Sequence, residues 1–285
     1  ALVRTVDKPR VATGEANGLG IKDKLGTGVS RYAGSPRNRI KNINNAIRKL
    51  NGLLIQPGET FSLLEALKPF TLDGGWFPEL VIKGDKIVPE IGGGACQIGT
   101  TTFRMAMNSG MPIMERQNHS LVVNYYNDLS NGNPGTDATI YEPLPDFKFL
   151  NDTGNIMLFE AVNDSEKQML YFTLWGTSDG RAGSYTPPVV HNWIGAGPEK
   201  IVETTDLAPG ARNCQAGHTG AVTSFTYIVT LPDGTKKEQV FTSRYRALPK
   251  ICLVGVAAVT PPTEPTLGTE GPPPPTPAPT PTPTP

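Results

Sequence analysis

The sequence has no charge imbalance, no long apolar run, and few residues from which to build a metal site. Lys+Arg and Asp+Glu are both 26 in 285 residues, so the formal net charge is zero. A balanced chain has no bulk attraction to nucleic acid or to an anionic membrane, and neither is an expected partner. No apolar run approaches the ~20 residues that a spanning helix needs, so no transmembrane segment is expected in this chain. There are three Cys and three His, with no Cys-x2-Cys and no His-x3-His pair, so neither a metal nor a cofactor is expected. No signal-peptide pattern opens the sequence, which decides nothing about what preceded Ala1.

Gly (31) and Pro (28) are abundant instead, which argues for β-rich, loop-rich structure and against a helical bundle. Twelve of the 28 prolines fall between Pro261 and Pro285. That stretch holds almost no large apolar residue, so residues 257–285 are expected to be a disordered, polyproline-like spacer. Such a spacer fits a link to a further module or wall anchor, or a disordered end with no role of its own.

Residues 1–26 read as a polar extension. Structure is expected to begin near Ser35-Pro36, a cap and first turn for a helix carrying Ile40, Ile43, Ile47 and Leu50 up to Gly52. A Gly-rich loop, Gly92-Gly93-Gly94-Ala95-Cys96, precedes a second helix with Phe103, Ala106 and Met107 on its buried face and Gly110 at its end. The period then changes to two, with strands expected at 113–117, 120–126, 138–142, 147–150, 156–162 and 169–175. The reading for 27–180 is α+β: helices first, then a mostly antiparallel sheet. Residues 181–197, with Pro187-Pro188, read as a linker. Residues 198–256 read as a small all-β module, with Pro232-Asp233-Gly234 as a hairpin turn.

Cys214 and Cys252 stand near the two ends of that module. A disulfide between them is expected, with two free buried thiols as the alternative. Cys96 stands apart, and one pair plus one single thiol fits an extracellular protein with a reactive cysteine.

Cys96 lies where a Gly-rich loop meets a helix start, whose unpaired N–H groups and positive end stabilise a thiolate. Its own amide can donate to an oxyanion, and Gly93 and Gly94 leave room for a substrate. His119 follows 23 residues later and Asp137 a further 18. A thiol needs a base within reach, and that base needs an acceptor to fix its tautomer. Cys96, His119 and Asp137 are therefore the candidate catalytic residues, in an order like that of papain-like and transglutaminase-like thiol enzymes. The bland alternative is a packed thiol, a hydrogen-bonded His and a capping Asp. Glu59, Gln97 and Arg116 are further candidates for substrate contact, against turn, local-bonding and ion-pair roles. Trp76 and Phe77 offer either a sugar-stacking face or core packing.

Pro57-Gly58-Glu59-Thr60-Phe61-Ser62, Gly92-Gly93-Gly94-Ala95-Cys96-Gln97, Glu115-Arg116, His119-Ser120, Asp137-Ala138-Thr139 and Asp146-Phe147-Lys148-Phe149 run in order through residues 18–176. Together they resemble the VanW-like family, with Gly99 where Ser is usual and Phe103 where Tyr is usual. The resemblance implies a bacterial, envelope-associated protein in a cell-wall context and brings no established reaction. Leu207-Ala208-Pro209-Gly210, Thr226-Tyr227-Ile228-Val229, Asp233-Gly234 and Leu253-Val254-Gly255 resemble the extracellular G-five module, which implies amino-sugar binding. The expectation is a secreted, wall-associated protein whose partner is peptidoglycan or another wall glycan or peptide. It acts as a thiol-dependent amide hydrolase or transpeptidase, or else binds without catalysis around a structural Cys96.

Overall fold

The computed structural model describes residues 16–83 and 86–257. The expected tail beyond residue 257 and the first 15 residues of the expected extension lie outside the described residues.

In chain order the elements are β1 (Asp23–Arg31), α1 (Arg37–Leu50), β2 (Leu53–Ile55), β3 (Thr60–Ser62), α2 (Leu63–Leu67), β4 (Pro78–Lys83), β5 (Lys86–Ile91), α3 (Ala95–Asn108), β6 (Ile113–Glu115), β7 (Lys148–Leu150), β8 (Met157–Asp164) and β9 (Met169–Gly176). Beyond these come β10 (Ala182–Tyr185), β11 (Val189–Ile194), β12 (Lys200–Thr204), β13 (Arg212–Gln215), β14 (Gly220–Thr230), β15 (Lys236–Tyr245) and β16 (Ile251–Gly255). The protein is β-rich α+β, with short helices set among open antiparallel sheets. Apart from one 3-10 turn at Ala16–Leu19, the described chain starts on a strand rather than on a helix. Strand β1 precedes α1 and pairs antiparallel with β9 in a sheet ordered β1-β9-β8-β2.

Two glycines hid β1 in the sequence, and α3 explains them. A Cβ at Gly28 would come 2.1 Å from the Thr101 carbonyl oxygen, and one at Gly26 would come 2.5 Å from the backbone of Asn108 and Ser109. The bare strand face lets α3 lie directly on it. α3 is buried almost all round, so its threonines bond back into the fold: Thr101 and Thr102 donate to the carbonyls of Gln97 and Ile98, four residues earlier.

α1 forms on the expected Ile40/Ile43/Ile47/Leu50 stripe. Its cap position is Pro36 rather than Ser35, and no side chain bonds there. Asn42 of α1 donates to the carbonyls of Phe77 and Gly93 and so holds the Gly-rich loop in place. Phe61, Phe103, Phe147, Phe149, Phe159 and Phe172 fill the core. Trp76 belongs to that core and offers no stacking face: it is fully buried, 4.7 Å from the Phe70 ring, and its indole donates to the Leu67 carbonyl.

Residues 181–197, expected as a linker on their Pro and Gly content, hold two strands. β10 and β11 pair with successive stretches of one edge of β14, while β15 pairs along its other edge. The 231–235 turn closes as expected, with Leu231 N–H bonded to the Thr235 carbonyl and Gly234 at φ 83°. By contact the chain forms two compact units. Among the described residues, the first comprises those from 16 to 200 with 215–251, and the second comprises 201–214 with 252–257. In the second unit β16 lies between β12 and β13, and Cys214 is disulfide-bonded to Cys252. Among the described residues, no helix is long and apolar enough to cross a membrane.

Candidate functional site

The site grows out of the loop before α3. Gly92 and Gly94 sit at φ 93° and 104°, in the left-handed region where a side chain is strained. This turn delivers Cys96 as the second residue of α3. The flanking amides are used: Ala95 N–H bonds to the Gly92 carbonyl and Gln97 N–H to that of Gly94. The Cys96 amide has no backbone partner among the described residues, which leaves it able to meet an oxyanion.

His119 and Asp137 reach Cys96 from two extended segments. They do not sit on the neighbouring strands expected at 120–126 and 138–142. Residues 124–126 form a 3-10 turn instead, and 138–142 has no ladder. A single backbone bond, Thr139 N–H to the Gln117 carbonyl, joins the two segments. The papain-like layout is therefore not supported, although the three side chains do meet.

Asp137 Oδ2 accepts from the His119 ring at Nδ1 (2.6 Å) and from the His119 amide (2.8 Å). Asp137 Oδ1 accepts from the Tyr245 hydroxyl and, at 3.4 Å, from Arg116. With Nδ1 engaged, Nε2 is the ring nitrogen left for the thiol, and the imidazole and the Cys96 sulfur are in electrostatic reach of each other. The Cys96 sulfur also lies 3.2 Å from the Thr139 hydroxyl and 3.4 Å from the Ile140 carbonyl. The Tyr126 ring packs 4.8 Å from the imidazole.

These contacts set the protonation states. Burial pushes the Cys96 thiol up, but the His119 charge and hydrogen bond, helped by Thr139 and Ile140, bring it down to about 7. Burial pushes His119 down, yet the Cys96 charge and the Asp137 hydrogen bond outweigh it and raise the ring to about 9. Burial opposes the Asp137 charge as well, and His119 and Arg116 nonetheless hold its carboxyl well below the usual range. The result is a thiolate–imidazolium pair steadied by a carboxylate.

A cavity of about 890 Å³ opens over this pair, lined by Gly94, Cys96, His119 and Thr139 together with Arg39 and Tyr125. Cys96 is half-buried and lines the cavity.

Other expected contact residues are placed differently. Gly93 is buried, with its carbonyl taken by Asn42, and it does not line the cavity. Gln97 is fully buried; it accepts from Arg39 and donates to Ser30 and to the Arg31 carbonyl, so its amide is not an oxyanion donor. The Arg116 side chain is buried, bonds to Asp137, Gly135 and Ser243, and does not line the cavity. Glu59 is exposed and accepts from the Gln56 amide in its turn, away from the cavity. Sequence reading overlooked Arg39, Tyr126 and Tyr245. Thr139 lay within a quoted motif and was given no role.

Residues 38–175 match the profile of the family described as VanW like protein. The chain carries a VanW-like domain. Over 130 residues it is 33% identical to vancomycin B-type resistance protein VanW of Enterococcus faecalis, covering 46% of this chain and 47% of that protein. Over 138 residues it is 29% identical to the uncharacterized protein YoaR of Bacillus subtilis, covering 48% of this chain and 44% of that protein. The chain thus matches about half the length of these relatives. The IgA1 protease G5 domain structure is 24% identical over 26% of this chain and 88% of its own, at a TM-score of 0.18, which carries no weight for the fold. Cys96, His119 and Asp137 all fall within the VanW-like domain, whereas Tyr245 and Ser243 lie beyond its C-terminal limit.

Proposed function

We propose that the protein is a thiol-dependent amide hydrolase or transpeptidase acting on peptidoglycan at the cell envelope. The observation that carries this reading is the placing of Cys96 in electrostatic reach of His119, whose ring is hydrogen-bonded to Asp137, beneath an 890 Å³ cavity. Likeness to the VanW and YoaR proteins supports a wall-associated setting. The Cys214–Cys252 disulfide supports an oxidising, extracellular one.

In this reading the Cys96 thiolate attacks an amide carbonyl carbon. A C–S bond forms, and the oxygen takes the charge opposite the Cys96 amide. The His119 imidazolium gives its proton to the departing nitrogen as the C–N bond breaks, which leaves a thioester and a free amine. Neutral His119 then takes a proton from water, or from an acceptor amine, as that group attacks the thioester. The acyl group leaves as an acid or a new amide, and the thiolate returns. Asp137 holds the ring and offsets its charge throughout.

Alkylation with iodoacetamide across pH tests the first requirement: Cys96 should react with an apparent pKa well below the ordinary ~8.5. Incubation with muropeptides, read by mass spectrometry, tests the second. Turnover should vanish in Cys96→Ala, and turnover surviving that change would overturn the mechanism.

A further inference from the structure

Arg39, in the first turn of α1, differs from the other two buried arginines of the first unit. Arg104 spends Nε, Nη1 and Nη2 on the Thr136, Val29, Tyr126 and Asn127 carbonyls and the Thr136 hydroxyl. Arg116 spends its fork on Asp137, Gly135 and Ser243. Neither lines the cavity, and Arg39 does. It is only 8% exposed, so its charge is largely withdrawn from bulk water.

No carboxylate pairs with it among the described residues. Nη2 donates to Gln97 Oε1 at 2.8 Å and to the Tyr126 hydroxyl at 2.9 Å. The half-exposed Tyr125 ring lies 4.4 Å from the guanidinium carbon, and its hydroxyl also bonds to the group. All of these partners are neutral, and a guanidinium carries five N–H donors in a rigid fork. A buried cation is normally matched by an anion. Here the wall of the cavity supplies the cation and neutral supports that fix its orientation; Glu79, Glu90 and Glu142 also line the cavity, but among the described residues none of them forms an ion pair with Arg39. Arg39 is also within electrostatic reach of Cys96.

We infer that Arg39 is the anchor for a carboxylate on the substrate, held under Tyr125 by N–H donors of the guanidinium that Gln97 and Tyr126 do not take, while a neighbouring amide carbonyl of the same molecule lies on Cys96. The substrate class is then a peptide bearing a free carboxylate close to the bond attacked. This rests on the amide-cleaving reading of the site and deepens it. Two carboxylates of a wall peptide fit that chemistry, the terminal one and that of an internal isoglutamate.

Equilibrium binding to the Cys96→Ala protein tests it without turnover, so its outcome is separate from that of the catalytic reading. Three synthetic stem-type pentapeptides serve as probes: the free acid, the C-terminal carboxamide, and the form amidated at isoglutamate. One amidation should weaken binding about tenfold or more, and which one does so names the carboxylate. Adding Arg39→Gln should erase the difference, while Arg39→Lys should keep part of it. Equal affinity for all three peptides, or binding of none, overturns the inference. So does discrimination that persists unchanged in folded Arg39→Gln, or an Arg39→Gln protein that shifts only the alkylation pKa of Cys96. Where the Arg39 variants fail to fold, the peptide series on the protein with native Arg39 decides alone.

Discussion

Tyr245 donates its hydroxyl to Asp137 Oδ1, across 108 residues of sequence, while Oδ2 of the same carboxylate takes the His119 ring. The carboxylate is thus shared between the VanW-like domain and strand β15, which lies beyond that domain's limit. Ser243, two residues earlier on β15 and on the same face of the strand, accepts from Arg116, which also bonds to Asp137.

Tyr245→Phe deletes one donor to a buried charge and leaves the packing intact. The expected cost is about 2 kcal/mol of stability, the scale of a hydrogen bond to a charged group. Asp137 then grips His119 less firmly, so the alkylation pKa of Cys96 should rise. Denaturant titration reads the first effect and the pH-dependence of alkylation the second. A loss of stability with an unmoved alkylation profile would mean that the Tyr245 hydroxyl supports the fold without tuning the site.

How much of this was legible in the sequence depended on the range of the interaction. The helix after the Gly-rich loop and the Asp233-Gly234 turn rest on local preferences, and local patterns showed them. β1 did not read as a strand because its glycines answer to α3, some 75 residues away. His119 and Asp137 are held by side-chain-to-backbone bonds rather than a ladder, so alternating residues around them misled the reading into strands. Arg39 sits on a helix whose apolar stripe gives no hint that one turn faces a cavity. Tyr245 lies too far along the chain for spacing to tie it to Asp137.

Gly28→Ala should test the seating of α3 on β1. Its Cβ would lie 2.1 Å from the Thr101 carbonyl oxygen and 2.4 Å from Met105 N, both rigid helix backbone. Neither element can yield without moving the other, so a loss of about 3 kcal/mol is expected, at the upper end for overpacking. Thermal unfolding checks this, and a near-native Tm would show that α3 can lift from the strand at little cost.

Removing the disulfide should act on the second unit. Cys214 and Cys252 are 38 residues apart, and a loop of that size implies about 4 kcal/mol from chain entropy. The Cys214→Ser/Cys252→Ser double variant should raise hydrogen exchange in β12, β13 and β16. Unchanged exchange there would mean that strand pairing alone holds those three elements.

Activity should follow a bell in pH, and the two limbs have opposite causes. Cys96, lowered to about 7, is protonated and unreactive below that point, so the rate rises through about 7. His119, raised to about 9, loses the proton it must give to the leaving group above that point, so the rate falls through about 9. The same shift bears on stability. The folded pKa of His119 lies above the unfolded ~6.5, so its contribution is fully present below about 6.5 and is lost as pH rises through about 9. The thiolate is one cause of that elevation. Cys96→Ala should therefore lower the His119 pKa, which proton NMR of the imidazole ring can follow, and should move the alkaline loss of stability to lower pH. A ring that titrates identically with and without the thiol would show that Asp137 alone sets its charge, and that no thiolate–imidazolium pair forms.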